Sequence, residues 1–166
     1  MATDLPEEAR NALRAVMQSH AGGDVDAALM AVQEIIERWP DYAQARSYYG
    51  QTLVTRKRRF AEGLVELDSA VALDDDDPYI LYTAGWCREF VANAIEKRRG
   101  GAHQSVPESV ADLYTSATVL FRRALAADPD DALIGDIEDM LTVVSNATGI
   151  PWDDGEEVTR AAPRPR

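Results

Sequence analysis

The residues best equipped for chemistry in this chain are few and far apart. Its two histidines, His20 and His103, both fall in turns between helical stretches, and its single cysteine, Cys87, falls on an apolar stripe where a thiol is buried and inert. None of the spacings that assemble a phosphate cradle (G-x-x-x-x-G-K-[ST]), a dinucleotide-binding turn (G-x-G-x-x-G), a zinc-protease helix (H-E-x-x-H), a dithiol (C-x-x-C) or a nucleophile elbow (G-x-S-x-G) occurs. Asp74 to Asp77 is the densest carboxylate run, but it lacks the glycine and distal glutamate with which an EF-hand loop wraps calcium. Asn146-Ala-Thr148 has the letters of a glycosylation acceptor, which carry no meaning in a chain read as cytoplasmic. The expectation is a protein that is not an enzyme, with no catalytic set, no metal site and no cofactor.

The charged residues are sorted along the chain. Arg56-Lys57-Arg58-Arg59 and Lys97-Arg98-Arg99 each close a helical stretch, whereas Asp41, Asp74 to Asp77, Asp128, Asp130 and Asp131 occupy the opposite turns. Helix dipoles alone favour this arrangement, by ~0.3 to 1 kcal/mol per charge at a surface. The alternative use of the basic edge is a rim for an acidic partner, an anionic surface or RNA, and such binding would be weak and salt-sensitive. With 17 Lys+Arg against 29 Asp+Glu, a net charge of −12 and a pI near 4.5, nucleic acid is not expected as the main partner.

The 166 residues make one domain's length, and 46% hydrophobic with 28% charged is ordinary for a globular chain. One cysteine excludes an intrachain disulfide framework and suits a reducing compartment. No run approaches the roughly 18 apolar residues of a membrane span, and the acidic opening MATDLPEEAR lacks the pattern of a signal peptide. A cytoplasmic location without membrane insertion is expected.

Breakers divide the chain at His20 to Asp24, Trp39-Pro40-Asp41, Asp74 to Pro78, Gly100-Gly101 and Asp128 to Asp131. Between them apolar residues recur at spacings of three and four, as in Val25, Leu29, Val32, Ile35 and Ile36, and strand-like alternation is missing. The pattern predicts helices over 6–20, 24–38, 42–57, 60–73, 78–98, 106–127 and 131–147. Asp77 is placed to cap the helix that Pro78 opens, and Ser105-Val-Pro-Glu108 reads as a capping box for the sixth. The fold class is therefore all-α.

The even-numbered helices share one spacing: Ala28-x3-Val32-x2-Ile35-x4-Pro40, Gly63-x3-Leu67-x2-Ala70-x4-Asp75 and Ala117-x3-Phe121-x2-Ala124-x4-Pro129. Tyr49-Gly50-x2-Leu53 and Ala84-Gly85 hold one place in the helices before them, where small residues let paired helices cross closely. This resembles the tetratricopeptide repeat, whose pattern is a leucine-glycine pair, then A-x3-F, then a proline. Ala15-Val16 replaces the small pair in the first repeat and Asp75 the proline of the second. The anchors lie 35 and 54 residues apart against a family period of 34, so the third repeat carries an insertion of twenty.

The resemblance implies a right-handed superhelix of three helix pairs plus a C-terminal capping helix, spanning 1–149, with a Pro- and charge-rich flexible tail over 150–166. It further implies a concave groove lined by the first helix of each pair and a scaffolding role. Helical periodicity places Arg10, Arg14 and Met17, then Gln44, Ser47, Tyr48, Gln51 and Thr55, then Tyr79, Tyr82, Thr83, Trp86 and Phe90 on that face. The aromatics among them either anchor a captured peptide or pack on neighbouring helices. Opposite them, Ile80, Ala84, Cys87, Val91 and Ile95 form a core stripe. The Lys and Asn set with which resembling co-chaperones clamp a terminal carboxylate is missing. The inserted residues are expected to lengthen the last pair into a hairpin that projects beyond the array and touches it little, with Ile150 to Trp152 resting on the last helix. The expected function is an adaptor that holds a segment of another protein, with a dedicated client chaperone as the alternative and a homo-oligomer left open.

Overall fold

A computed structural model describes residues 5–152 of the chain. Among them are seven helices: α1 (Glu7–Ala21), α2 (Val25–Arg38), α3 (Ala43–Lys57), α4 (Phe60–Leu73), α5 (Pro78–Glu96), α6 (Val110–Ala126) and α7 (Asp131–Thr148). Side chains that accept from first-turn amides start four of them: Asp24 from Ala27, Asp77 from Tyr79 and Ile80, Ser109 from Asp112, and Asp130 from Leu133. Such caps satisfy donors that a helix cannot bond internally. Gly149, at φ 74°, closes α7 in the left-handed conformation that glycine adopts without strain.

Consecutive helices pack as pairs, α1 on α2, α3 on α4 and α5 on α6, with α7 against α6 and α5. The reason in the second pair is a glycine crossing. A Cβ on Gly50 would lie 2.7 Å from the Gly63 carbonyl oxygen, and one on Gly63 would lie 2.5 Å from Val54 Cγ2. In the third pair the Phe121 ring fills the space, 2.8 Å from where a Gly85 Cβ would stand. The first pair has no such glycine; Val16 and Ala28 are buried in its core instead. One apolar core joins α1, α2 and the start of α3 through Leu13, Val32, Ile35 and Tyr42. A larger one runs from Val54 through Phe60, Leu67, Cys87, Leu113 and Phe121 to Ile137 and Leu141.

The stretch between α5 and α6 departs from the expectation. The sixth helix begins at Val110 rather than at residue 106, and Ser109, not Ser105, caps it. Nor does this stretch project. The Gln104 amide donates to the Arg58 carbonyl (3.0 Å), and the Gln104 side-chain oxygen accepts from the Glu62 amide (2.9 Å). His103 stacks on Phe60 with centroids 4.9 Å apart, and Arg58 donates to the Arg99 carbonyl at 2.8 Å. The physical reason is that α4 starts without a cap of its own, since Arg59 offers its amides no acceptor. Gln104 supplies one from 42 residues away. Residues 97–109 are thus a strap over the α3–α4 turn, while Val91, Ala94, Leu113 and Tyr114 bury the facing sides of α5 and α6.

The packing expected of Ile150 to Trp152 on the last helix is seen at Trp152. Trp152 packs on the larger core, donates to Thr142 Oγ1 at 3.4 Å, and receives Arg122 at its carbonyl. The rest of the expected tail, residues 153–166, lies outside the described residues, as do residues 1–4 of the acidic opening.

Candidate groove across the first helices of the pairs

A groove of about 950 Å³ opens between α1, α3 and α5. Its walls are the outward stripes of these helices: Arg10, Leu13, Arg14 and Met17 from α1; Gln44, Ser47, Tyr48 and Gln51 from α3; Tyr79, Ile80 and Thr83 from α5. A helix of 3.6 residues per turn puts positions three and four apart on one face, so each stripe is a direct consequence of spacing. Leu5 closes one end, and the turns α2–α3 and α4–α5 add Asp41, Tyr42, Leu73, Asp74 and Asp77.

Two apolar side chains stay open to solvent at this groove, Tyr79 at 54% and Met17 at 49% exposure. Polar contacts fix the frame. His20 Nδ1 and the Tyr48 hydroxyl share a hydrogen bond between α1 and α3, Gln44 donates to Asp77 at 3.3 Å, and the Tyr79 hydroxyl donates to Asp130 at 2.6 Å. That last bond raises the Tyr79 pKa and lowers that of Asp130, because it stabilises the protonated phenol and the ionised carboxylate together. Burial raises Tyr42, and the field of Arg10 and Arg14 draws it partly back. Tyr48 is raised by burial too, against the opposing pull of Thr52 and Arg56.

Of the expected groove residues, Arg14, Met17, Gln44, Tyr48, Gln51 and Tyr79 meet in this one cleft, together with Arg10, Ser47 and Thr83. Thr55 does not line it, and neither do Tyr82, Trp86 and Phe90. These three rings are half-buried against the larger core: Tyr82 lies 5.9 Å from the Phe121 ring, Trp86 packs on Phe90 at 6.0 Å, and Phe90 meets Phe60 edge-on at 6.3 Å. Large rings on the same helical face sank toward α4 and α6 because those helices offered them apolar area, which water does not. The turn residues Tyr42, Asp41 and Asp74 were missing from the sequence-based groove. Their assignment to turns was legible, but which cleft a turn borders depends on how the pairs stack.

The basic edge is partly engaged within the fold. Lys57 pairs with Asp26 at 2.5 Å, Arg59 with Glu62, and Arg58 holds the strap with its guanidinium over the Phe60 ring. Arg56, Lys97, Arg98 and Arg99 remain exposed. Cys87 is fully buried, and burial pushes its thiol far above the ordinary range. Among the described residues no group of three or more His, Cys, Asp or Glu side chains could hold a metal ion, and no helix is long and apolar enough to cross a membrane. No protein-family model and no curated protein matches the chain.

Proposed function

We propose that this protein is a non-enzymatic adaptor of tetratricopeptide-like design, in which three helix pairs and a final helix wind as a right-handed superhelix and hold a segment of a partner protein. The reading rests on the open groove between α1, α3 and α5. First helices that expose Met17, Tyr48 and Tyr79 to a shared cleft leave apolar area unburied, and a bound segment would cover it. The three equal spacings of Ala28, Gly63 and Ala117 with their partners, and the small-residue crossings at Gly50 and Gly85, support the repeat design. Scaffolding needs no catalytic group, which agrees with a buried, unreactive Cys87 and a chain free of nucleophile motifs.

Site-specific photocrosslinking tests the proposal. A benzoylphenylalanine at Gln51, in the groove, should form a discrete adduct with a partner in the native cell, whereas one at the exposed Val65 on α4 should not. Equal labelling from both positions, or none from Gln51, overturns the groove as the contact surface.

A further inference from the structure

The groove carries charges of both signs that are not paired with one another. Arg10 and Arg14 project from α1 into the cleft, and neither forms an ion pair among the described residues; Arg10 Nη1 donates to the Leu5 carbonyl (2.6 Å) and Arg14 Nη1 to Asn11 (3.0 Å). Each guanidinium has five donors in a fixed fork, so most of its capacity stays free. Asp41 and Asp74, which line the same cleft, likewise have no ion-pair partner among the described residues, whereas Asp77 is used by Gln44 and by the first amides of α5.

Two side chains that bear hydroxyls line the same cleft. Ser47 is 7% exposed, lines the groove, and its hydroxyl has no hydrogen-bond partner among the described residues. The Tyr42 side chain is 5% exposed and sits in the field of both arginines.

We propose that the occupant of the groove is a partner segment bearing both signs of charge: a carboxylate side chain received by Arg10, Arg14 and the Ser47 and Tyr42 hydroxyls, and a Lys or Arg side chain received by Asp41 and Asp74. This rests on the adaptor reading and adds the partner's chemistry to it. A uniformly acidic segment is repelled by the aspartates and a uniformly basic one by the arginines, so a lining of both signs selects a segment that carries both.

The test is selection of a phage-displayed random dodecapeptide library on the immobilised full chain, followed by fluorescence anisotropy of the recovered peptides, fluorescein-labelled. Recovered sequences should pair an acidic with a basic residue, and Arg10→Gln with Arg14→Gln should weaken them at least tenfold. The same double substitution should have little effect on a peptide whose own acidic residue is changed to Gln, and Asp41→Asn with Asp74→Asn should be coupled in the same way to the basic residue. Melting temperatures of these variants should stay near that of the parent, because the arginines and Asp41 are exposed. Peptides of one charge sign, or an absence of coupling while Tyr48→Ala still abolishes binding, overturn the charge pattern and leave the groove standing. No recovered binder, or binding indifferent to Tyr48→Ala as well as to all four charge substitutions, overturns the groove itself.

Discussion

Glu89 sits on α5 at 9% exposure, and burial raises its pKa while nearby Lys97 pulls it only partly back. A carboxyl whose folded pKa exceeds its unfolded value binds protons more readily in the native state. Its ionisation therefore destabilises the fold as pH rises from the ordinary value of 4.5 through the folded one. Glu89→Gln should accordingly raise the melting temperature at pH 7 and make no difference near pH 4; thermal melts across that window, with the variant against the parent, measure the sign. Asp130 has the opposite linkage, since the Tyr79 hydrogen bond lowers its pKa and the associated stability is lost as pH falls through that lowered value. It is present in both proteins and cancels in the comparison. Cys87 should react with a thiol reagent such as dithionitrobenzoate only in denaturant, because the thiolate that attacks is suppressed by burial.

The helix pairs hold together where side chains are smallest. Alanine usually stabilises an exposed helix position relative to glycine by roughly 0.5 to 1 kcal/mol, through lower unfolded-state entropy. Gly135→Ala in α7 meets nothing within 4 Å and should follow that rule. Gly50→Ala should do the reverse, costing about 1 to 3 kcal/mol, because the new methyl would stand 2.7 Å from a backbone oxygen that cannot move aside alone. Chemical denaturation of the two variants gives opposite shifts if the crossing is as described. The strap over the α3–α4 turn makes its own prediction: replacing His103 to Val106 with a Gly-Ser link removes the α4 cap from Gln104 and the ring stack on Phe60, and should destabilise the fold by ~1 to 3 kcal/mol. A hairpin that merely projected would lose nothing, and an unchanged melting curve would restore that picture.

For the molecule as a whole, Tyr82→Ala with Trp86→Ala should lower stability by several kcal/mol, as truncation of packed rings does, and binding should be lost only as far as folding is. Helix existence, order and pairing were legible in the sequence, because three- and four-residue apolar spacing and turn residues are local signals that survive any arrangement of neighbours. So were the stripes of α1 and α3, Thr55 excepted, and the first turns of the α5 stripe, from Arg14 to Tyr79. What the chain alone left open was wherever one element borrows from another far along it. Tyr82, Trp86 and Phe90 share a helical face with Tyr79, and periodicity cannot say that the face turns inward beyond the first turns of α5. Ser105 reads as a cap from its spacing, yet Ser109 starts α6, because the residues just before Ser105 are held on the α3–α4 turn, Gln104 by Arg58 and Glu62 and His103 by the Phe60 ring. Local free energies of about 1 kcal/mol rank such options too closely to decide between them; burial of whole helix faces, which only the assembled tertiary structure creates, decides them.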